Sequence, residues 1–393
     1  MSRALRKRAP RRGCWGMRFL LAGGLALVTM VTIMLHMRLA NSMQSGSTAL
    51  ADSPLPAQVH DAAVVYLCSN SSADLANIRT SLDYLHSALL WRHRYRVIVF
   101  NEGNLPKEAV ANLLRDAAAR VPQTALTFEL VELRTPTQVV EAGIKPTWHK
   151  RSLWGYHNMI RFWHSLVQAR LEALGVRYYM RLDSDSWLLG PWWAAHDGVG
   201  DPIALMRAKK CVYGYNKVER DFGPTVKGLW NFTSNYAQNH DLTTHWHRSL
   251  VADDLGATRS GGNGPWGDTQ VPIFYNNFEI GFVPFFRSKP MRDFARAVDD
   301  SLGIYRFRWG DAPLRYLAVS LFAEESDVCF FSPEAYPYHH GRWGVRDALA
   351  RVLNGASMRL LGRALYVPGR NRGTFELRAA NLRGPVLGSD TIP

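Results

Sequence analysis

The chain has 393 residues, of which 47% are hydrophobic and 20% charged, so it is long enough to bury a substantial core. Its formal net charge of +14 does not indicate nucleic-acid binding, because residues 1–38 carry eight Lys or Arg and no acid, which leaves about +6 for the rest. That modest excess is typical of contact with anionic substrates or lipid headgroups, or of plain surface charge. The four cysteines lack the spacing of metal ligands, which excludes a cysteine-bound metal site.

The N-terminus predicts a membrane anchor. Residues 1–18 form a basic tail, and residues 19–37 are uncharged over about the length that spans a bilayer as a helix. By the positive-inside rule we expect the tail to be cytosolic and the chain after residue 38 to be lumenal. Residues 19–37 are then predicted to be an uncleaved signal anchor. A cleaved signal peptide is the alternative, but its apolar region is normally shorter, and residues 40–42 form a poor cleavage site. Residues 38–60 have the composition of a flexible stem.

Two sequons support a lumenal location. Asn70-Ser71-Ser72 and Asn231-Phe232-Thr233 are candidate N-glycosylation sites. Beyond the anchor lie Cys68, Cys211 and Cys329, so at most one intramolecular lumenal disulfide can form.

Residues 61–345 predict one large α/β domain. Apolar segments at 62–68, 95–100 and 126–133 have the character of strands, and residues 75–89 and 107–120 have helical spacing. Ser72 or Asp74 can cap the first of these helices. Strands alternating with helices imply a mixed, mainly parallel sheet covered on both faces. Residues 346–393 form a C-terminal extension of unknown role, which could lie on the domain or on a membrane.

The segment 177–187 carries the most informative pattern. A helical face at 160–174 leads into a predicted strand at 178–183, which ends in Asp183-Ser184-Asp185. Ligands of α/β sheets bind beyond the carboxyl ends of strands, and hard cations prefer carboxylate oxygens. The motif therefore predicts a metal bridged to a nucleotide diphosphate, although Asp-Ser-Asp is also typical of a plain turn.

Three later segments carry candidate chemistry. Glu279, among aromatic and amide residues, is a candidate nucleophile or base; the alternative is a half-buried strand glutamate paired with an arginine. Asp311, in Arg-Trp-Gly-Asp-Ala-Pro at 308–313, can cap a helix at 312–322. His339 and His340 lie in an aromatic loop and are candidate metal ligands, although surface histidines are commoner.

The order of these motifs resembles the fungal α-1,2-mannosyltransferases of glycosyltransferase family 15. The resemblance covers most of residues 61–340. It includes Tyr-His-Asn-Met-Ile-Arg-Phe at 156–162, the stretch 209–230 with its Tyr-Gly-Tyr and Leu-Trp, and the six residues 308–313.

The resemblance implies a fold, an activity and a location. It implies a GT-A-like domain in a single-pass type II Golgi membrane protein. The implied enzyme is a retaining glycosyltransferase that moves mannose from GDP-mannose to a mannoside or glycoprotein glycan, with Mn²⁺ or Mg²⁺. Two alternatives stay open: a retaining transferase that uses a UDP-hexose, and a lumenal glycan-binding protein without catalysis.

The resemblance also assigns residues. Glu279 falls on the proposed catalytic nucleophile, and an internal-return mechanism, in which Glu279 only orients the acceptor hydroxyl, is equally consistent with the sequence. Asp183, Asp185 and His339 fall on the metal ligands, with His340 as the substitute for His339. The donor-binding candidates are Tyr156, Arg161, Tyr213, Arg308 and Asp311.

Two departures from the family pattern stand out. Asp183 replaces a Glu, so the side chain is one methylene shorter. The family's Cys-His-Phe-Trp-Ser lead into Asn-Phe-Glu is here Val-Pro-Ile-Phe-Tyr-Asn at 271–276, without its cysteines, so the family's disulfide pattern does not carry over.

Overall fold

Apolar strands that each lead into a helix form the parallel half of the central sheet. Strand β1 (Val59–Leu67) pairs in parallel with β2 (Tyr95–Asn101), and β2 pairs in parallel with β3 (Leu126–Leu130). Helix α1 (Ser72–Leu85) joins the first two strands, and α2 (Lys107–Arg120) joins the second two. Strand β1 begins three residues earlier than predicted, β3 ends three residues earlier, and α2 has the predicted bounds.

The computed structural model describes residues 59–90, 93–120, 126–145, 154–189, 192, 200–221, 225–242, 244, 246–247, 271–333 and 335–341. The remaining helices within these ranges are α3 (Thr137–Glu141), α4 (Gly155–Arg161), α5 (Val167–Ala173), α6 (Pro202–Lys209), α7 (Leu229–Asn239), α8 (Val283–Phe286), α9 (Lys289–Ser301), α10 (Gly303–Phe307) and α11 (Asp311–Phe322). Two π-helical turns, His86–Leu90 and Phe162–Leu166, extend α1 and join α4 to α5, and a 3₁₀ turn covers Glu325–Asp327.

The central sheet has seven strands and is mixed, as predicted. Its order is β10-β6-β9-β4-β1-β2-β3, which adds β4 (Tyr178–Leu182), β6 (Tyr213–Tyr215), β9 (Phe278–Phe282) and β10 (Val328–Phe330). Strand β9 runs antiparallel to both β4 and β6, and the other neighbours are parallel. Two small antiparallel sheets flank it: β5 (Ser186–Leu188) with β11 (Tyr338–His340), and β7 (Val218–Arg220) with β8 (Pro272–Phe274).

Both faces of the central sheet are buried. Successive side chains of a strand point to opposite faces, and along β1 Ala63 and Val65 join one apolar cluster while Val64 and Tyr66 join the other. Each of these four side chains has no exposed surface. A strand buried on both sides contains continuous apolar residues, which is why β1 lacks the alternation of a half-exposed strand.

A disulfide fastens the edge of the sheet. Cys211, between α6 and β6, is bonded to Cys329 on β10, with a Cα–Cα distance of 5.8 Å. Strand β10 directly precedes the segment that carries the two histidines. Cys68 is a buried free thiol. The bond agrees with the prediction of at most one lumenal disulfide.

Several predicted features lie outside the described residues. They are the basic tail at 1–18, the anchor at 19–37, nearly all of the stem and the extension at 346–393. Among the helices that are described, none is both long and apolar enough to cross a membrane.

Candidate active site at the end of strand β4

Asp183 and Asp185 lie in a tight turn between β4 and β5. The N–H of Asp183 donates to the carbonyl of Asn277 at 3.2 Å, and the N–H of Ser186 donates back to the carbonyl of Asp183 at 2.9 Å. The hydroxyl of Ser184 contacts the carboxylate of Asp74, in the first turn of α1. The motif is therefore a turn, and the turn brings both carboxylates to the carboxyl end of a central strand.

His340 completes a cluster with the two aspartates. Strand β11 pairs antiparallel with β5 and sets His340 opposite Ser186 and His339 opposite Trp187. Nε2 of His340 lies 3.1 Å from Asp185 Oδ1 and 3.8 Å from Asp183 Oδ2. One ligand atom from each of the three side chains lies within 4.8 Å of the others. This is a donor set of two carboxylates and one imidazole, which fits Mn²⁺.

The two neighbouring histidines point to opposite sides because side chains alternate along a strand. The ring of His339 stacks on Trp187, with centroids 5.5 Å apart and planes 9° apart. The structure thus brings His340 to the carboxylates and places His339, the first choice from the sequence, against an indole.

The pKa shifts in the cluster reflect close packing of opposite charges. The hydrogen bond from His340 lowers the pKa of Asp185. Burial raises the pKa of Asp183, although the charges of Arg181 and His340 oppose this. Burial alone would lower the pKa of His340, but its bond to Asp185 and the charges of both aspartates raise it. A divalent cation bound among these side chains would supply positive charge to the same two carboxylates.

Arg181 holds Asp183 from within strand β4. Its Nε and Nη2 lie 3.3 and 3.2 Å from Asp183 Oδ1, and its Nη1 donates to Asp311 Oδ2 at 2.6 Å. The guanidinium also lies over the ring of Trp163, 4.1 Å from its centroid. Asp183 therefore engages Arg181 through one oxygen, while the other faces His340.

Asp311 belongs to this network and begins helix α11. Its carboxylate accepts bonds from Arg181 and from Asn276 Nδ2, the latter at 2.9 Å. The residue before it, Gly310, is the N-cap, and no side chain caps the helix. The prediction that Asp311 caps α11 is therefore wrong: its carboxylate is bonded to the buried guanidinium of Arg181 instead.

The cap of α1 also differs from the predicted Ser72 or Asp74. Ser71 is the N-cap, and its side chain accepts a hydrogen bond from the N–H of Asp74 at 3.1 Å.

Glu279 lies inside the core. Its side chain has no exposed surface. Tyr179 and Tyr213 each donate a hydroxyl hydrogen bond to it at 3.0 Å, and Nε of Arg315 donates at 3.2 Å. The surroundings match the alternative of a strand glutamate paired with an arginine, here fully rather than half buried. Tyr213, predicted to bind the donor, points its hydroxyl into this core network.

The remaining donor-binding candidates divide into two groups. Arg161 is engaged by Asp299 on α9, with three contacts of 2.9–3.1 Å. Tyr156 is 49% exposed and accepts a 2.8 Å hydrogen bond from Arg308, whose guanidinium also covers its ring. Burial raises the pKa of Tyr156, and the negative charge of Asp311 adds to the shift. Tyr156, Arg308 and Asp311 are thus neighbours near Asp183, whereas Arg161 forms an ion pair elsewhere.

Sequence reasoning missed three residues of this site. An arginine inside the apolar strand 178–182 was a usable signal for Arg181, because a buried charge needs a partner. Asn276 and Tyr275 gave no such signal. The partner of Asn276 is Asp311, 35 residues away along the chain, and the partner of Tyr275 is His340, 65 residues away.

The two sequons differ in their surroundings. Asn70 lies in the loop from β1 into α1 and Ser72 is the first residue of α1, and both are exposed. Asn231 is exposed on α7, but Thr233 is fully buried and its hydroxyl donates to the carbonyl of Leu229 at 3.0 Å.

Comparison with known proteins gives consistent matches. The family model described as "Glycolipid 2-alpha-mannosyltransferase" matches residues 32–347. "O-glycoside alpha-1,2-mannosyltransferase homolog 3" of Schizosaccharomyces pombe is 25% identical over 77% of this chain and 79% of that protein. "O-glycoside alpha-1,2-mannosyltransferase omh1" of the same organism is 24% identical over 73% of this chain and 71% of that protein.

Solved structures share the architecture. The mannosyltransferase Ktr4p from S. cerevisiae superposes with a TM-score of 0.58 at 21% identity, covering 74% of this chain and 73% of that one. Core-mannan synthase A from Aspergillus fumigatus, in its Mn/GDP form, has a TM-score of 0.57 at 20% identity, with 74% and 78% covered. These likenesses confirm the predicted GT-A-like α/β fold with a mixed, mainly parallel central sheet.

Proposed function

The chain belongs to the glycolipid 2-alpha-mannosyltransferase family, and on that premise we propose that it is a retaining α-1,2-mannosyltransferase that uses GDP-mannose. The observation that carries the proposal is the cluster of Asp183, Asp185 and His340 at the carboxyl end of β4. A nucleotide-sugar enzyme needs a cation there to neutralise the donor diphosphate. The acceptor is a mannoside or the glycan of a glycoprotein, in keeping with the names of the relatives.

Mn²⁺ is the proposed cation, held by Asp183, Asp185 and His340. Relatives of the same fold support it, since core-mannan synthase A was solved in a Mn/GDP form. When bound, the ion supplies charge neutralisation for the departing nucleotide. His340 takes the place first assigned to His339, because its Nε2 lies 3.1 Å from Asp185. Mg²⁺ suits the carboxylates as well.

The exposed rim of the site is proposed to bind the donor. Arg308 carries a positive charge beside Tyr156 at this rim, and the buried carboxylate of Asp311 lies next to them. A guanidinium is suited to phosphate oxygens. Arg161 and Tyr213 are left out of the donor site, since Asp299 and Glu279 engage them.

The burial of Glu279 bears on how the sugar is transferred. If Glu279 attacked the anomeric carbon directly, its carboxylate would have to break its hydrogen bonds with three donors inside the core. An internal-return reaction needs no protein nucleophile. In it the bond from the anomeric carbon to the diphosphate breaks, the acceptor oxygen bonds on the same face, and its proton passes to the leaving phosphate. We infer this second route, with Glu279 as a positioning residue that keeps β4, β6, β9 and Arg315 in place.

A lumenal site in the Golgi, with a type II anchor at 19–37, completes the proposal. The buried Cys211–Cys329 disulfide supports an oxidising compartment. The exposed sequon at Asn70 and the basic residues before the apolar stretch agree with it.

A donor screen tests the proposed function. The full-length chain, purified in detergent, is offered GDP-mannose, UDP-galactose and UDP-glucose with a mannoside acceptor, in Mn²⁺ or in EDTA. The expected result is transfer from GDP-mannose only, abolished by EDTA. Faster transfer from a UDP-sugar would overturn the donor assignment. Glycan binding without transfer from any donor would favour a non-catalytic lumenal lectin.

A further inference from the structure

The hydroxyl of Tyr275 lies 3.1 Å from Nδ1 of His340. The other ring nitrogen, Nε2, faces Asp185 at 3.1 Å. The phenol ring meets the imidazole edge-on, with planes 86° apart and centroids 5.7 Å apart. The imidazole is thus held at one nitrogen by a tyrosine and presents the other to the two carboxylates.

Tyr275 is itself fixed by the backbone. It follows strand β8, and its N–H donates to the carbonyl of Lys217 at 2.9 Å, which continues the β7–β8 ladder by one bond. The ammonium of Lys217 lies 5.4 Å from the centroid of its ring. The side chain is partly buried, which limits competition from water for its hydroxyl. Tyr275 therefore links the β7–β8 ribbon to the β5–β11 ribbon that carries His340.

We propose that Tyr275 is a positioning residue that sets the orientation and tautomer of His340 for metal binding. This rests on the metal site of the proposed function. A neutral imidazole binds a metal through a nitrogen that carries no proton, so with Nε2 as ligand the proton sits on Nδ1. Nδ1–H then donates to the hydroxyl oxygen of Tyr275. Partners of this kind fix the ring and raise its affinity for metal.

The test measures Mn²⁺ binding directly. Free Mn²⁺ is followed by its electron paramagnetic resonance signal during titration of the full-length chain in detergent, without donor or acceptor. Tyr275→Phe keeps the ring and removes the hydroxyl, and the Mn²⁺ Kd is expected to rise about 10- to 100-fold. Tyr305→Phe is the matched control, because it removes a hydroxyl that donates to Asn158 at 2.9 Å. Its Mn²⁺ Kd is expected to equal that of the wild type.

A second variant tests whether the side chain at position 275 must accept the hydrogen bond. Tyr275→Trp keeps an aromatic side chain whose N–H can donate but not accept, so it is expected to weaken Mn²⁺ binding as Tyr275→Phe does. Thermal unfolding in EDTA identifies any variant that fails to fold. A Mn²⁺ Kd for Tyr275→Phe within twofold of the wild type overturns the proposed role of Tyr275 but leaves the metal site in place. Absence of Mn²⁺ binding in the wild type overturns the metal site as well.

Discussion

The guanidinium of Arg181 lies 2.6 Å from the carboxylate of Asp311, and this buried pair joins strand β4 to helix α11 beside Asp183. Arg181 is 3% exposed and Asp311 8% exposed, so neither charge is stabilised mainly by water. Asp183 is bonded to the same guanidinium, so one positive charge serves two carboxylates. The position of Asp183 is therefore coupled to a contact between residues 130 positions apart.

Arg181→Met is expected to destabilise the fold strongly. The methionine fills most of the space but leaves Asp311 buried without its cation, which costs about 3–5 kcal/mol. Urea unfolding of wild type and variant measures the difference. Arg287→Met is the control, because Arg287 pairs with Glu172 at the surface, where an ion pair contributes about 0–1 kcal/mol. Equal losses in the two variants would contradict the structural role of Arg181.

The neighbouring histidines are expected to behave differently. His340→Gln removes a proposed metal ligand and should raise the Mn²⁺ Kd by at least about 100-fold. His339→Gln removes a ring that stacks on Trp187 and should leave the Kd near the wild-type value. Mn²⁺ titration of both variants is the measurement. A larger rise in the Mn²⁺ Kd for His339→Gln than for His340→Gln would contradict the geometry and support His339 as the ligand.

Glu279→Gln is expected to affect stability together with turnover. The substitution leaves Arg315 buried without a counter-ion, which costs about 3–5 kcal/mol. The measurement is the free energy of unfolding alongside kcat for mannose transfer. A loss of turnover by orders of magnitude with unchanged stability would instead support Glu279 as the catalytic nucleophile.

Acidification is expected to destabilise the protein through buried histidines. Burial lowers the pKa of His164 to about 3 and that of His157 to about 4, from an ordinary value of 6.5. Neither ring of these two residues has a hydrogen-bond partner among the described residues. Between pH 6.5 and 4 the unfolded chain therefore binds protons that the folded chain does not, and stability falls as the pH falls. Each histidine contributes a slope of about 1.4 kcal/mol per pH unit in that window.

Replacing His164 by Leu tests this slope. The variant cannot take up the proton in either state, so the free energy of unfolding should lose about 1.4 kcal/mol per pH unit of its dependence between pH 4.5 and 6. Urea unfolding at several pH values gives the slope directly. An unchanged slope would mean that His164 is protonated, or reached by water, in the folded protein.

Local patterns were enough to predict the framework of the site. The apolar runs at 62–68 and 95–100 became β1 and β2, and the strand at 178–182 ended where Asp183 was expected. A helix or strand depends on side-chain periodicity over one short stretch, and the order of strands and helices restricts the topology. The position of Asp183 and Asp185 at a strand's carboxyl end followed from these local facts.

The partners of the site residues could not be predicted in the same way. Choosing His340 over His339 needed the register of β11 on β5, and a slip of one residue would have exchanged them. The burial of Glu279 needed Tyr179, Tyr213 and Arg315, which come from three other elements. The sequence offered a glutamate–arginine pair at Glu279 only as an alternative, and it did not identify which residues are the partners.

The sequence by itself determined the first strands and helices and their order, the position of Asp183 and Asp185 at a strand end, and the family, because each depends on residues close together in the chain. Only the tertiary structure decided which histidine faces the carboxylates, that Glu279 is enclosed, and that Arg181 is hydrogen-bonded to Asp183 and Tyr275 to His340. The physical reason is that hydrogen bonds and ion pairs act over about 3 Å in space, and the chain brings most of these partners together from positions 36 residues apart or more.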